Sequence, residues 1–145
     1  MRNRVDVLHG VNLDVLERRP ADIYGGIKLT ELEVRVKRFA GELGLETQFW
    51  QTNHEGEFCE LLHRSASSAD GLVLNPGAWT HYSWAIRDAL EITGLPAVEV
   101  HISAVEDRDD WRSVSVIRDL CLGCVQGKGV DGYREALELL RGELG

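Results

Sequence analysis

The stretch EVHIS, residues 99–103, sets Glu99, His101 and Ser103 at alternate positions. In a β-strand alternate side chains share one face, so a carboxylate, an imidazole and a hydroxyl would stand in a row. A carboxylate beside an imidazole orients the ring and favours its charged form. That is the state from which a general acid works. The same two residues also suit a buried structural pair, because neither tolerates burial alone. A second group of reactive types lies in HGVNLDVLERRPADIYGG, residues 9–26, where Asn12, the Arg18–Arg19 pair and Tyr24 precede two glycines. A guanidinium beside a phenol favours the phenolate. Bringing a tyrosine from about 10 to about 7 requires roughly 4 kcal/mol. One Arg at about 4 Å in an effective dielectric of about 20 supplies a similar amount. Tyr24 is therefore a candidate base with Arg19 as its electrostatic partner; a packing Tyr beside solvated arginines is the plainer alternative. Downstream, EDRDDWRSVS offers Arg108 and Arg112, one of which suits a substrate carboxylate through its planar fork. Surface ion pairs with Glu106, Asp107, Asp109 and Asp110 are the competing use.

The elements that would carry these residues alternate strand and helix. VDVLH, ETQFWQ, GLVLN, AVEVHIS and LGCVQG are short apolar runs bounded by Gly, Asn or Pro, as expected of strands buried on both faces. Between them, Leu32, Val36, Phe39 and Leu43 recur at helical spacing; Thr30 with Glu33 reads as a capping box and Gly44 as a stop. EGEFCELLHRSAS, HYSWAIRDALEITG and DGYREALELLRGEL have the same period. Five such alternations predict an α/β domain with a flavodoxin-like, doubly wound five-stranded parallel sheet and helices on both faces. The segment 10–27 is expected to settle into neither helix nor strand and to act as a mobile lid hinged at Gly25 and Gly26.

In open α/β sheets, ligands bind outside the carboxyl ends of the strands. Four strand ends here carry polar groups: His9 and Asn12; Gln51, Asn53 and His54; Asn75 with His81 beyond it; His101 and Ser103. Singly, Asn53 reads as a helix cap and Asn75 as a turn residue. Together they point at one rim. The implied chemistry is proton transfer on a small, anionic, hydroxyl-rich molecule.

The 145 residues suit one domain, 1–145, and the net charge of −8 argues against nucleic acid. No apolar run reaches the length of a membrane span, and a cytoplasmic location is the default expectation. Cys121 and Cys124 form C-x-x-C without a second pair for zinc; they read as buried structural thiols.

The blocks VLHGVNL, NHEGE, LNPGAWTHYSWAIRDAL, VEVHIS, RDDWR and GYREAL, in that order and spacing, resemble the type II 3-dehydroquinate dehydratases over nearly the whole chain. The resemblance implies anti elimination of water from 3-dehydroquinate through an enolate, in the shikimate or quinate pathway. It implies no cofactor and no metal, and a trimer-based dodecamer. By matching position, Tyr24 would remove the C2 proton, with Arg19 holding it as phenolate. Asn12 would steady the enolate through a water, and His101, oriented by Glu99, would protonate the departing hydroxyl. Asn75, His81, Ser103 with the backbone at Ile102, and Arg112 would bind substrate, and Asp88 would reach a neighbouring subunit's site. The chain departs from the family pattern at His9 (usually Asn), Val11 (Pro), Asp14 (Asn), Glu17 (Gly), Trp79 (Tyr or Phe) and Ala104 (Asn), and in IRDLC. Two other readings stand beside this one: a divergent paralogue acting on a related cyclic hydroxy acid, and a non-catalytic flavodoxin-like binding module. The latter would want a Ser/Thr/Gly-rich phosphate turn after the first strand, and HGVNLDVLERRP supplies none.

Overall fold

The first strand, β1 (Arg4–His9), lies between β2 (Glu46–Gln51) and β3 (Gly71–Asn75); β4 (Ala97–His101) and β5 (Gly123–Gln126) follow, giving the all-parallel order β2-β1-β3-β4-β5. This is the flavodoxin-like doubly wound arrangement expected from the sequence. The structure is a computed structural model and describes residues 1–145 apart from the side chain of Glu106. A short helical turn α1 (Ala21–Tyr24) and helices α2 (Leu29–Glu42), α3 (Glu55–Ser68), α4 (Trp84–Thr93) and α5 (Asp131–Leu144) connect the strands. Among the described residues no helix is long and apolar enough to cross a membrane.

The period of two along each strand divides the interior in two. Val5 and Val7 of β1, Val73 of β3 and Val98 and Val100 of β4 pack with Leu32, Val36, Tyr133, Leu137 and Leu140 of α2 and α5. Leu8, Leu72, Leu74 and Ala97 point the other way, against Phe58, Leu62, Ile86 and Leu90 of α3 and α4. Each such fully buried side chain contributes about 1.5–3 kcal/mol. The division also sorts the polar strand ends. His9 and Asn75 follow the valines toward α5, whereas Glu99 and His101 share the face of Ala97.

Two expectations shift in detail. The capping box does not form: α2 begins at Leu29 with Lys28 as its cap, and no side chain caps it. Starting earlier places Leu29 against the core, so apolar packing decides the boundary. Gly44, with φ +72°, does lie just past the end of α2. The segment 10–27 is also more structured than expected. It contains a 3-10 turn at Leu13–Arg18 and then α1. Leu13 and Leu16 are buried in the α5-side core, because their spacing of three puts both on one side of the turn. Gly25 and Gly26 follow, both at positive φ.

The loops after β1 and β3 touch through missing side chains. A Cβ on Gly10 would lie 2.2 Å from the carbonyl oxygen of Pro76. One on Gly77, at φ +66°, would lie 2.8 Å from that of Val11. Only glycine fits either contact. Asn12, between them, has φ 70° and is the one non-glycine residue of positive φ among the described residues; Asn tolerates this conformation better than most residues.

Candidate active site

The strand ends, the 10–27 segment and the turns after β3 and β4 enclose a cleft of about 220 Å³. Asn12, Arg19, Tyr24, Asn75, His81, His101, Ile102, Ser103 and Arg112 all line it. The structure thus brings together residues that the sequence separates by up to a hundred positions. Glu99 lies beneath the lining, fully buried. Asp88 stands apart on the exposed side of α4.

At the floor, the Glu99 carboxylate accepts from His101 Nε2 at 2.6 Å and from Thr80 Oγ1 at 2.6 Å on one oxygen. The other oxygen accepts from Ser115 Oγ at 2.8 Å, with Arg118 Nε 3.6 Å away. Burial pushes this carboxyl up, but the hydrogen bonds from His101, Thr80 and Ser115 outweigh it and hold the group below the ordinary range. Glu99 is therefore a carboxylate, and it must take the His101 N–H. With Nε2 committed, Nδ1 of His101 is the nitrogen left to exchange a proton with a ligand. The sequence revealed Glu99 and His101 through their spacing. It did not reveal Thr80 and Ser115, whose sole signal is that a buried carboxylate needs more than one donor.

His81 lies parallel to His101, with ring centroids 6.3 Å apart, and meets the Trp111 ring edge-on at 5.1 Å. Its Nδ1–H donates to the Val114 carbonyl at 2.7 Å. Burial depresses its protonation, with the charges of His101 and Arg112 adding to the effect. His81 accordingly offers Nε2 as an acceptor for a ligand hydroxyl. Arg112 stacks on Trp111 at 4.1 Å and pairs with Asp109 at 3.2 Å, so one edge of the guanidinium is engaged on the surface while the residue still borders the cleft. Pairing of these arginines with Glu106 falls outside the described side chains.

In the 10–27 segment, Arg19 donates to the Tyr24 hydroxyl at 2.7 Å and lies over its ring at 4.4 Å. A second cation, Arg108, donates to the same oxygen at 2.7 Å. It also reaches Ser103 Oγ at 3.4 Å. The sequence left Arg108 and Arg112 as alternatives for one role. The structure separates them: Arg108 faces the phenol, and Arg112 borders the cleft near His81. Guanidinium groups only donate, so the phenol oxygen accepts twice and faces two positive charges.

Asn53 does not cap α3, whose N-cap is His54. It braces the loop instead. Its Oδ1 accepts from the Asn12 backbone N–H at 2.8 Å and its Nδ2 donates to Asp14 at 3.0 Å. Asp14, a departure from the family pattern, thus has a partner here.

Asn75 is held from behind. Its Oδ1 accepts from the Gly77 N–H at 3.3 Å, and its Nδ2 donates to the Tyr133 hydroxyl at 3.0 Å. Tyr133, on α5, lies 2.9 Å from His9 Nε2. Both Tyr133 and His9 are fully buried, and burial lowers the His9 pKa to about 4. The sign of the consequence is fixed. In the unfolded chain His9 titrates near 6.5, so as pH falls the unfolded state takes the proton first. Stability owed to neutral His9 is whole above pH 6.5 and declines as pH falls to about 4, by about 3 kcal/mol in total. Urea unfolding at pH 7 and pH 5 should show about 2 kcal/mol of this loss. His9→Gln should flatten that interval; an equal decline in the variant would remove His9 as the cause.

The cysteines Cys59, Cys121 and Cys124 are only partly buried. Burial and the negative charge of Glu99 push the Cys121 thiol up to about 12, which leaves it unreactive.

The profile of the family described as Dehydroquinase class II matches residues 3–141. A 3-dehydroquinate dehydratase of Pelotomaculum thermopropionicum is 47% identical over 134 residues, 92% of this chain and 93% of that protein. One of Thermotoga maritima is 45% identical over 141 residues, covering 97% of this chain and 96% of that protein. The crystal structure of a type II dehydroquinase from Butyrivibrio crossotus superposes with a TM-score of 0.92 at 36% identity, covering 96% and 97% of the two chains.

Proposed function

Because the chain belongs to the class II dehydroquinase family, we propose from the layout of its cleft how it divides the removal of water from 3-dehydroquinate among its own side chains. It is a lyase, and the product is 3-dehydroshikimate. The observation that carries the division of labour is that two proton-handling groups line one cleft with separate partners: Tyr24 under two guanidinium groups, and His101 bound to a buried carboxylate.

In this scheme Tyr24, as phenolate, takes the proton from C2. The C–H electrons pass to the neighbouring carbonyl as an enolate. Arg19 and Arg108 both donate to the oxygen that takes the proton, so they position it toward the substrate. Asn12 steadies the enolate oxygen through a water. The enolate then collapses, the C1–O bond breaks, and His101 passes its Nδ1 proton to the departing hydroxyl, releasing water. Two separately held groups, one to take a proton and one to give one, suit an elimination. Glu99 keeps the His101 ring aligned between turnovers. Asn75, His81, Ser103, the backbone at Ile102 and Arg112 hold the hydroxyls and carboxylate of the substrate, an anionic cyclic polyol. No step assigned to these side chains calls for a cofactor or metal.

Assembly belongs to the same proposal. Tyr82 and Trp84, at the start of α4, and Asp88, one turn further on, are all exposed. Exposed apolar rings suit contact with a second copy, through which Asp88 would reach a neighbour's cleft in a trimer-based dodecamer. A cytoplasmic location fits a small-molecule lyase of this kind.

The test is appearance of the conjugated enone from 3-dehydroquinate, followed by its ultraviolet absorbance. The folded protein is expected to turn over on the order of 1–10³ times per second. Absence of turnover by the folded protein, in any oligomeric form, would falsify the proposal.

A further inference from the structure

We infer that His9 is a positioning residue for the reaction: by accepting the phenol proton of Tyr133 it fixes which way round the Asn75 amide faces the cleft. The inference rests on the proposed role of Asn75 in binding substrate.

The two strands pair with His9 opposite Asn75, and both side chains point toward α5. An amide can sit either way round in the same space, so neighbouring protons must choose. The Gly77 N–H faces Asn75 and can only donate, which assigns Oδ1 to that side. Nδ2 then faces Tyr133 and donates to its oxygen. That oxygen already accepts, so its own O–H has to be given elsewhere, and His9 Nε2 at 2.9 Å is there to take it. Proton directions thus run one way from Asn75 through Tyr133 to His9. One amide N–H is left for a substrate oxygen.

The role requires His9 to be neutral with its proton on Nδ1, and burial without any carboxylate partner favours the neutral ring. The cost is visible as well: His9 Nδ1 is buried and has no hydrogen-bond partner. Unmatched buried donors are normally removed. A phenylalanine or leucine would fill the same space without one, so the ring is not explained by packing alone. With no acceptor at position 9, the Tyr133 O–H would turn to the Asn75 side and favour the reversed amide. That reversal sets Nδ2 against the Gly77 N–H, and neither orientation is then satisfied.

The amide contact is made in both ground and transition states, so losing it should raise KM and spare kcat. His9→Leu is expected to raise KM for 3-dehydroquinate about tenfold, with kcat within about twofold. Tyr133→Phe removes the relay while keeping the ring, and should do the same; it carries the test if His9→Leu does not fold. The double variant should be no worse than either single one, since both break one chain. His9→Gln, which keeps an acceptor, should recover most of the wild-type KM. Lower thermal stability with unchanged KM in both single variants reduces His9 to a structural role and overturns the inference. Asn75→Ala separates the two layers. Unchanged KM in that variant overturns the substrate-binding reading of Asn75 itself. Raised KM there, with normal KM in His9→Leu and Tyr133→Phe, overturns only the inference about His9.

Discussion

Tyr24→Phe is expected to lower kcat by a factor on the order of 10²–10⁴, the span of a positioned general base. The substitution deletes one oxygen and leaves the ring under Arg19 and packed against the core, so the fold should survive. What disappears is the atom to which two guanidinium groups donate. Their hydrogen bonds at 2.7 Å are charge-assisted, and they turn toward solvent or substrate once the oxygen is gone. KM should therefore change little, or even fall, if a freed guanidinium meets the substrate carboxylate. The diagnostic is exchange of the C2 proton with deuterated solvent, read by mass spectrometry of recovered substrate. Without the base, exchange and elimination should vanish together. A variant with wild-type kcat would remove Tyr24 from the chemistry.

His101→Ala is expected to lose a comparable factor, about 10²–10⁴, but with a different signature. The enolate forms on the Tyr24 side, so C2 exchange should persist while water loss stalls. Loss of both in His101→Ala would show that the imidazole is needed before the enolate exists, against the division of labour proposed here. The variant also leaves Glu99 fully buried without its ring partner. Thr80 Oγ1 and Ser115 Oγ still donate to it, which limits the cost of the stranded charge to about 3–5 kcal/mol or less. Lower thermal stability should accompany lower activity, and activity normalised to folded protein is the quantity to compare.

Much of this arrangement is legible in the chain because it repeats. Strand edges at Glu46, Gly71 and Gln51 follow from short apolar runs closed by polar residues, and the sheet order follows from five βα alternations. Glu99 and His101 are legible from a period of two. Arg19 and Tyr24 are legible only as types; their contact depends on Pro20 accepting the backbone of Ile23 and Tyr24 to close a turn, which propensity alone does not foretell. Contacts that cross the fold leave no periodic trace. Arg108 meets Tyr24 across 84 residues, and Ser115 meets Glu99 from an irregular segment. Thr30 shows the converse failure: a local capping signal was present but lost to the burial gained by starting the helix earlier.

Gly10 and Gly77 give the cleft a tolerance limit. Each loop occupies the volume that a single carbon would fill on the other, so the separation between the Asn12 and Asn75 amides is set by atoms that are absent. Enlarging the pocket for a bulkier ring acid cannot begin at these two positions, because any side chain there pries both loops apart at once. Room for redesign begins instead at Val105, which borders the same cleft and to which the reaction scheme gives no task.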